Sequence, residues 1–263
     1  MRLRKHEGIR IRTGGCACNY APARYQNSYF LRAPNGRKIP RALSAALRPP
    51  DPSRAGHAAR GTTMKESYIT KNFKKTAAAR FPVQAEQLNA AFYARLQALR
   101  QDNAGATKEK QRHLENQILP GIAAYEALQT VMPKDEALET IHSYVEQKAR
   151  RQKKLFLRLM RIPGLYKKVP GIFSAQAPKL FGVTAGFASR DIQTSGGVWR
   201  IDMTKCPYHD ASVHYGCPEL CRCFCDSDDI TYEGLHPKLY WHRTKTLGRG
   251  GDCCDFCLKL RGK

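Results

Sequence analysis

The stretch VWRIDMT, residues 198–204, marks the point where the chain changes character. Val198, Arg200, Asp202 and Thr204 alternate with Trp199, Ile201 and Met203, and a period of two sends the two sets to opposite faces of a half-buried strand. Two further strands are predicted downstream, KLYWHRT at 238–244 and CDFCLKL at 254–260, joined through TLGRGGD, whose glycines suit a tight connection. A cysteine-bearing helical stretch at about 207–226 lies between the first strand and these two.

Upstream the period is helical. Leu88, Phe92, Leu96 and Leu99 recur every three or four residues, which predicts a helix over about 82–101. DNAGAT breaks it, and Thr107 caps a second helix over about 108–131, with Leu114, Ile118, Ile122, Tyr125 and Leu128 inward and Pro120 kinking or splitting it. Pro133, Asp135 and Glu136 open a third helix reaching to about Arg161, with acids in its first turn and the basic run 148–154 later, as the helix dipole favours. Its stripe of Leu138, Ile141, Tyr144, Val145, Leu155 and Leu159 reads as core, and the basic run as a solvated face. After Pro163-Gly164, prolines at 170 and 178 predict a short helix followed by an apolar loop. The fold class is therefore α+β, with a helical segment over 64–190 and a small antiparallel sheet with its cysteine-bearing helix over 195–263.

The chain has 263 residues and a formal charge of +23, but the charge is unevenly spread. Residues 1–63 hold 13 Lys and Arg against 2 Asp and Glu, are rich in Arg, Pro, Gly and Ala, and lack apolar periodicity. They read as a disordered basic extension, and MKESYITKNFKK from Met64 resembles an ordinary bacterial protein start. The first residues carry no apolar run of the kind an export signal needs, so a reducing, cytoplasmic setting is expected. No stretch is apolar enough to span a bilayer. Eight of the ten cysteines crowd into the stretch from Cys206 onward, which marks a site rather than a scaffold.

Cys217, Cys221 and Cys225 follow at spacings of four, so one helix would align all three thiols on a face and turn Cys223 elsewhere. Asp226, Asp228 and Asp229 follow directly, as a solvated helix end or a turn. Carboxylates beside a thiol raise its pKa, so a thiolate there needs a compensating cation. Arg243 supplies one, and its planar fork also suits a substrate carboxylate.

Cys206-Pro207-Tyr208, Gly216-Cys217-Pro218-Glu219-Leu220, Phe224-Cys225 with Asp228, Arg243-Thr244-Lys245-Thr246-Leu247, Gly250-Gly251-Asp252 and Cys254-Asp255-Phe256 follow in an order that resembles the L-2-amino-thiazoline-4-carboxylic acid hydrolase family. The likeness covers about 195–263. It implies a hydrolase that opens a small cyclic substrate such as 2-amino-thiazoline-4-carboxylate to N-carbamoyl-L-cysteine. Such chemistry needs a nucleophile, an acid or base and a carboxylate anchor. On that likeness Cys225 or Cys254 is the nucleophile, Asp228 or Asp255 the general acid/base, and Arg243 with Thr246 the anchor, with Cys206 and Gly250 beside the substrate. The partner is a small anionic molecule and no cofactor is required.

Two other readings compete. Cys221, Cys225, Cys254 and Cys257 could bind zinc or an iron–sulfur cluster in a cysteine-rich metal- or ligand-binding protein, although two would sit on a helix and two on opposite faces of a strand. The strong positive charge suits nucleic acid, but no aromatic residues interleave with the basic run and no nucleic-acid fold signature is present, so no specific nucleic-acid partner is expected.

Overall fold

Ser67 starts the first helix by accepting a hydrogen bond from the Thr70 amide, 3.0 Å away, as an N-cap. The structure is a computed structural model and describes residues 66–194 and 196–262; the extension expected over 1–63 lies outside the described residues. Helix α1 (Tyr68–Arg80) buries Ile69, Phe73 and Ala77 along one face, against Phe92 of α2 (Ala85–Asp102), whose ring stacks on Phe73 at 4.6 Å. α1 falls inside the helical segment expected over 64–190, although no separate helix was assigned there.

The helix expected over 108–131 is split. Thr107 caps α3 (Lys108–His113), a π turn follows over Leu114–Ile118, and α4 (Leu119–Leu128) begins with Pro120 in its first turn. Pro120 has no N–H to donate back to the preceding turn, and the widened π turn just before it accommodates the missing bond while the backbone stays helical. Helix α5 (Lys134–Leu159) buries Ala137, Ile141, Tyr144, Val145 and Ala149. Leu155 and Leu159, expected in the core, stand 54% and 40% exposed, because Phe156 and Met160 take the inward face at that end.

Helix α6 (Leu165–Leu180) runs straight through Pro170 and Pro178, where a short helix and a loop were expected. The backbone bonds forgone at the prolines are offset by packing, since α6 lays Val169, Phe173 and Ala177, four residues apart, against the sheet, with Phe173 and Trp199 rings 5.1 Å apart.

The sheet is antiparallel, in the order β1 (Ala188–Gln193), β2 (Val198–Lys205), β4 (Cys254–Leu260), β3 (Leu239–His242). Trp199 pairs with Leu258, Ile201 with Phe256 and Met203 with Cys254, so the inward faces of β2 and β4 share one apolar layer. β1 was not foreseen: it is polar, largely exposed and irregular in register with β2, and an edge strand with no face to bury has no alternation to read.

The helical stretch expected over 207–226 is two helices, α7 (Pro207–His214) and α8 (Leu220–Tyr232), divided at Gly216, whose φ of 74° is left-handed. The division removes Cys217 from the thiol row. Cys217 and Cys223 join Leu220 and Phe224 in the helical core, while Cys221 and Cys225 remain together on α8. Asp226, Asp228 and Asp229 lie inside α8 rather than past its end. Two apolar cores result, one among the helices and one beneath the sheet. No helix among the described residues is long and apolar enough to cross a membrane.

Candidate functional site

A cavity of about 540 Å³ lies between the two cores. Helix α8 contributes Cys225, Asp228 and Thr231, the sheet side contributes Met203, Arg243, Cys254 and Phe256, and Cys206 and Tyr208 enter from the start of α7. Of the site residues expected from sequence, Cys206, Cys225, Asp228, Arg243 and Cys254 therefore meet at one cavity. Thr246, Gly250 and Asp255 stand outside its lining.

Cys225 is the most acidic thiol of the group. The Cys221 thiol lies 3.9 Å from its sulfur, and its S–H, followed by the Arg243 charge and the Thr246 hydroxyl, pulls the Cys225 thiol below its ordinary range, against burial and Asp228. Cys221 pays in the opposite direction, being held protonated. Thr246 Oγ1 is buried with no hydrogen-bond partner among the described residues, which leaves its proton free to turn toward Cys225. Gly248 closes the turn over the two thiols: a Cβ at that position would come within 2.9 Å of Cys221 Sγ and 3.1 Å of Cys225 Sγ. Cys254 differs from Cys225, for burial pushes its thiol up to about 11 although its sulfur accepts the Leu247 amide at 3.3 Å. Burial likewise pushes up Cys206.

Arg243 is 3% exposed and already engaged. One Nη donates to Asp229 at 2.5 Å and to the Cys225 carbonyl at 2.9 Å, the other lies 3.6 Å from Asp228, and the guanidinium sits 5.1 Å from the centre of the Phe256 ring. Trp241 Nε1 donates to the second Asp229 oxygen at 2.9 Å, fixing that carboxylate. Asp228 keeps 40% of its side-chain surface, but that surface opens on the cavity with protein on its other sides. Burial therefore dominates and, with Asp229 and against Arg243, pushes the Asp228 carboxyl up to about 7.

Asp255 has a different environment. Burial alone would raise its pKa, but hydrogen bonds from the Thr244 hydroxyl and the Thr244 and Lys245 amides outweigh it and keep the carboxylate ionised. These bonds pin the loop that leaves β3. Gly250, at φ 82°, ends the turn Leu247–Arg249 of the same loop. Among the four candidate metal cysteines, Cys257 sits on the face of β4 opposite Cys254. No group of three or more His, Cys, Asp or Glu side chains among the described residues is arranged to hold a metal ion.

Several lining residues escaped the sequence reading. His113 donates from Nε2 to the Leu180 carbonyl at 2.8 Å, so its Nδ1 accepts from Tyr208 Oη at 3.1 Å, and Gln117 donates to the same phenol. Burial lowers the His113 pKa and keeps the ring neutral. Lys148 and Gln152 reach the cavity from α5, with Val145 and Ala149. The signal for Lys148 was its place in the apolar row Ile141, Tyr144, Val145, Ala149.

A family model described as L-2-amino-thiazoline-4-carboxylic acid hydrolase matches residues 111–258. The matched span takes in every side chain that lines the cavity, from Arg112 to Phe256, and so reaches well upstream of the motifs at 195–263. No curated protein and no solved structure matches the chain.

Proposed function

We propose that this chain, which belongs to the L-2-amino-thiazoline-4-carboxylic acid hydrolase family, opens a small anionic ring of the 2-amino-thiazoline-4-carboxylate type by thiol-dependent hydrolysis. The observation that carries the reading is the convergence of an acidified thiol, Cys225, with a carboxyl poised near neutrality, Asp228, on one cavity of about 540 Å³. Cys225 Sγ adds to the ring carbon between sulfur and two nitrogens, and the C=N π pair moves to nitrogen, which takes the Asp228 proton. The carbon–ring-sulfur bond then breaks, leaving the carbon bound to Cys225 and the ring sulfur as a thiol once protonated. Ionised Asp228 next takes a proton from water, which attacks the same carbon and expels the Cys225 thiolate. One water is consumed, no oxidation state changes, and the product is an N-carbamoyl-cysteine. Arg243 serves this cycle from behind, holding Cys225 and the two aspartates in register. The test is incubation of the full chain with 2-amino-thiazoline-4-carboxylate, with mass-spectrometric detection of the ring-opened product. Absence of turnover across thiazoline, hydantoin and cyclic amidine acids overturns the reading.

The Asp228 pKa sets two pH dependences. As the acid, Asp228 is competent while protonated, so kcat/KM should fall as pH rises through about 7, and Asp228→Asn should abolish that limb. Its folded pKa also stands above the unfolded carboxylate value of about 3.9, so its contribution to stability is complete below that value and lost as pH rises through about 7. The urea midpoint of the wild type should therefore fall from pH 5 to pH 8 relative to that of Asp228→Asn; parallel midpoints would contradict the raised pKa.

A further inference from the structure

The cationic groups near Cys225 are unequally free. Arg243 is shared among Asp228, Asp229 and a backbone carbonyl, and Arg249 pairs with Asp226, which also lies within hydrogen-bond distance of His142. Glu146, the acid nearest Lys148 along α5, pairs with Arg150. Lys148 lines the cavity with no such partner among the described residues, alongside Val145, Ala149, Phe173, Thr231 and Tyr232. Burial pulls its ammonium below the ordinary range, and among the described residues no carboxylate opposes that shift. A desolvated cation without a counter-ion is costly, and an anion entering the cavity would remove that cost.

Position along the helices agrees. α5 and α8 advance together, Leu138 lying level with Cys223 (3.9 Å from carbonyl oxygen to Sγ) and His142 with Asp226 (3.2 Å). Lys148 is six residues past His142, roughly 9 Å farther along the axis than Asp226. Cys225 precedes Asp226 by one residue, so thiol and ammonium address the cavity from separate places along its length. A small ring seated with its reacting carbon toward Cys225 would direct its carboxylate along the cavity toward Lys148. Arg112 lines the same cavity from α3 and adds positive potential there.

Resting on the hydrolase reading, we infer that Lys148 is the anchor for the substrate carboxylate, and that Arg243, to which sequence alone assigns that task, is instead a positioning residue for Cys225 and Asp228. The pairing sets specificity: monoanionic rings with a carboxylate one ring-width from the reacting carbon are accepted, and the same rings without the acid bind weakly.

Binding is measured by calorimetry on the Cys225→Ser protein, with 2-amino-thiazoline-4-carboxylate and the decarboxylated ring 2-amino-thiazoline as probes. The acid should bind about tenfold or more tighter than the bare ring, Lys148→Met in the same background should erase that difference, and Lys148→Arg should keep most of it. With Cys225 intact, Lys148→Met should raise KM about tenfold or more while leaving kcat within a factor of about three. Melting curves confirm that the variants fold, which the retained apolar stem of methionine favours. A preference for the acid that survives Lys148→Met, or a collapse of kcat at unchanged KM, overturns the inference. An acid bound through Lys148 but never opened would remove the hydrolase reading and leave the anchor standing. Turnover indifferent to Lys148→Met would do the reverse, and neither binding nor turnover would remove both.

Discussion

Replacing Cys225 by serine should lower turnover by about a thousandfold or more while leaving the melting temperature almost unchanged. The sulfur is the group that Cys221, Arg243 and Thr246 act upon, and a hydroxyl in its place has too high a pKa for the same three neighbours to ionise. Cys223→Ser and Cys257→Ser should retain activity, the first because Cys223 points into the helical core and the second because Cys257 lies on the outer face of β4. Cys254→Ser should fall between, since that thiol lines the cavity but is held protonated. Turnover by the Cys225 variant within a few fold of wild type would rule out covalent thiol chemistry and leave Asp228 to activate water directly.

Arg243→Met should cost about 2–3 kcal/mol in chemical denaturation and most of the activity as well. Removing one partner of a fully buried ion pair costs about 3–5 kcal/mol, and the lower figure applies because Asp228 and Asp229 keep 40% and 39% of their side-chain surface open. The loss should also appear in the thiol. Without the guanidinium, alkylation of Cys225 by iodoacetamide should require a higher pH, whereas Arg243→Lys, which keeps the charge but loses the fork, should restore part of that reactivity. An unchanged alkylation profile in Arg243→Met would mean that the Cys221 thiol alone acidifies Cys225.

Elements that bury a face with their own period were legible in the sequence. VWRIDMT, CDFCLKL and the row Leu88, Phe92, Leu96, Leu99 all appear where the pattern placed them. Elements whose pattern is completed by a neighbour were not: β1 gains its conformation from β2, and α6 survives Pro170 because the sheet covers its apolar side. Gly216 shows how one backbone position redirects chemistry, since its left-handed turn takes Cys217 out of a row that the spacing of four seemed to guarantee. Within the cavity, the sequence motifs held Cys206, Cys225, Asp228, Arg243 and Cys254 but not their partners. That Arg243 is occupied, and Lys148 unpaired among the described residues, depends on which side chains face each other across α5, α8 and β3, and no linear spacing encodes that.

The cavity lies at the seam between the helical core and the sheet core, with Cys225 and Asp228 on one wall and Arg243 and Cys254 on the other. A molecule seated there touches both walls and is lost when they part, so occupancy and cohesion are thermodynamically linked. At a ligand concentration a hundredfold above Kd the folded state gains about 2.7 kcal/mol. A ligand bound at this seam would thus also act as a mortar between the two cores.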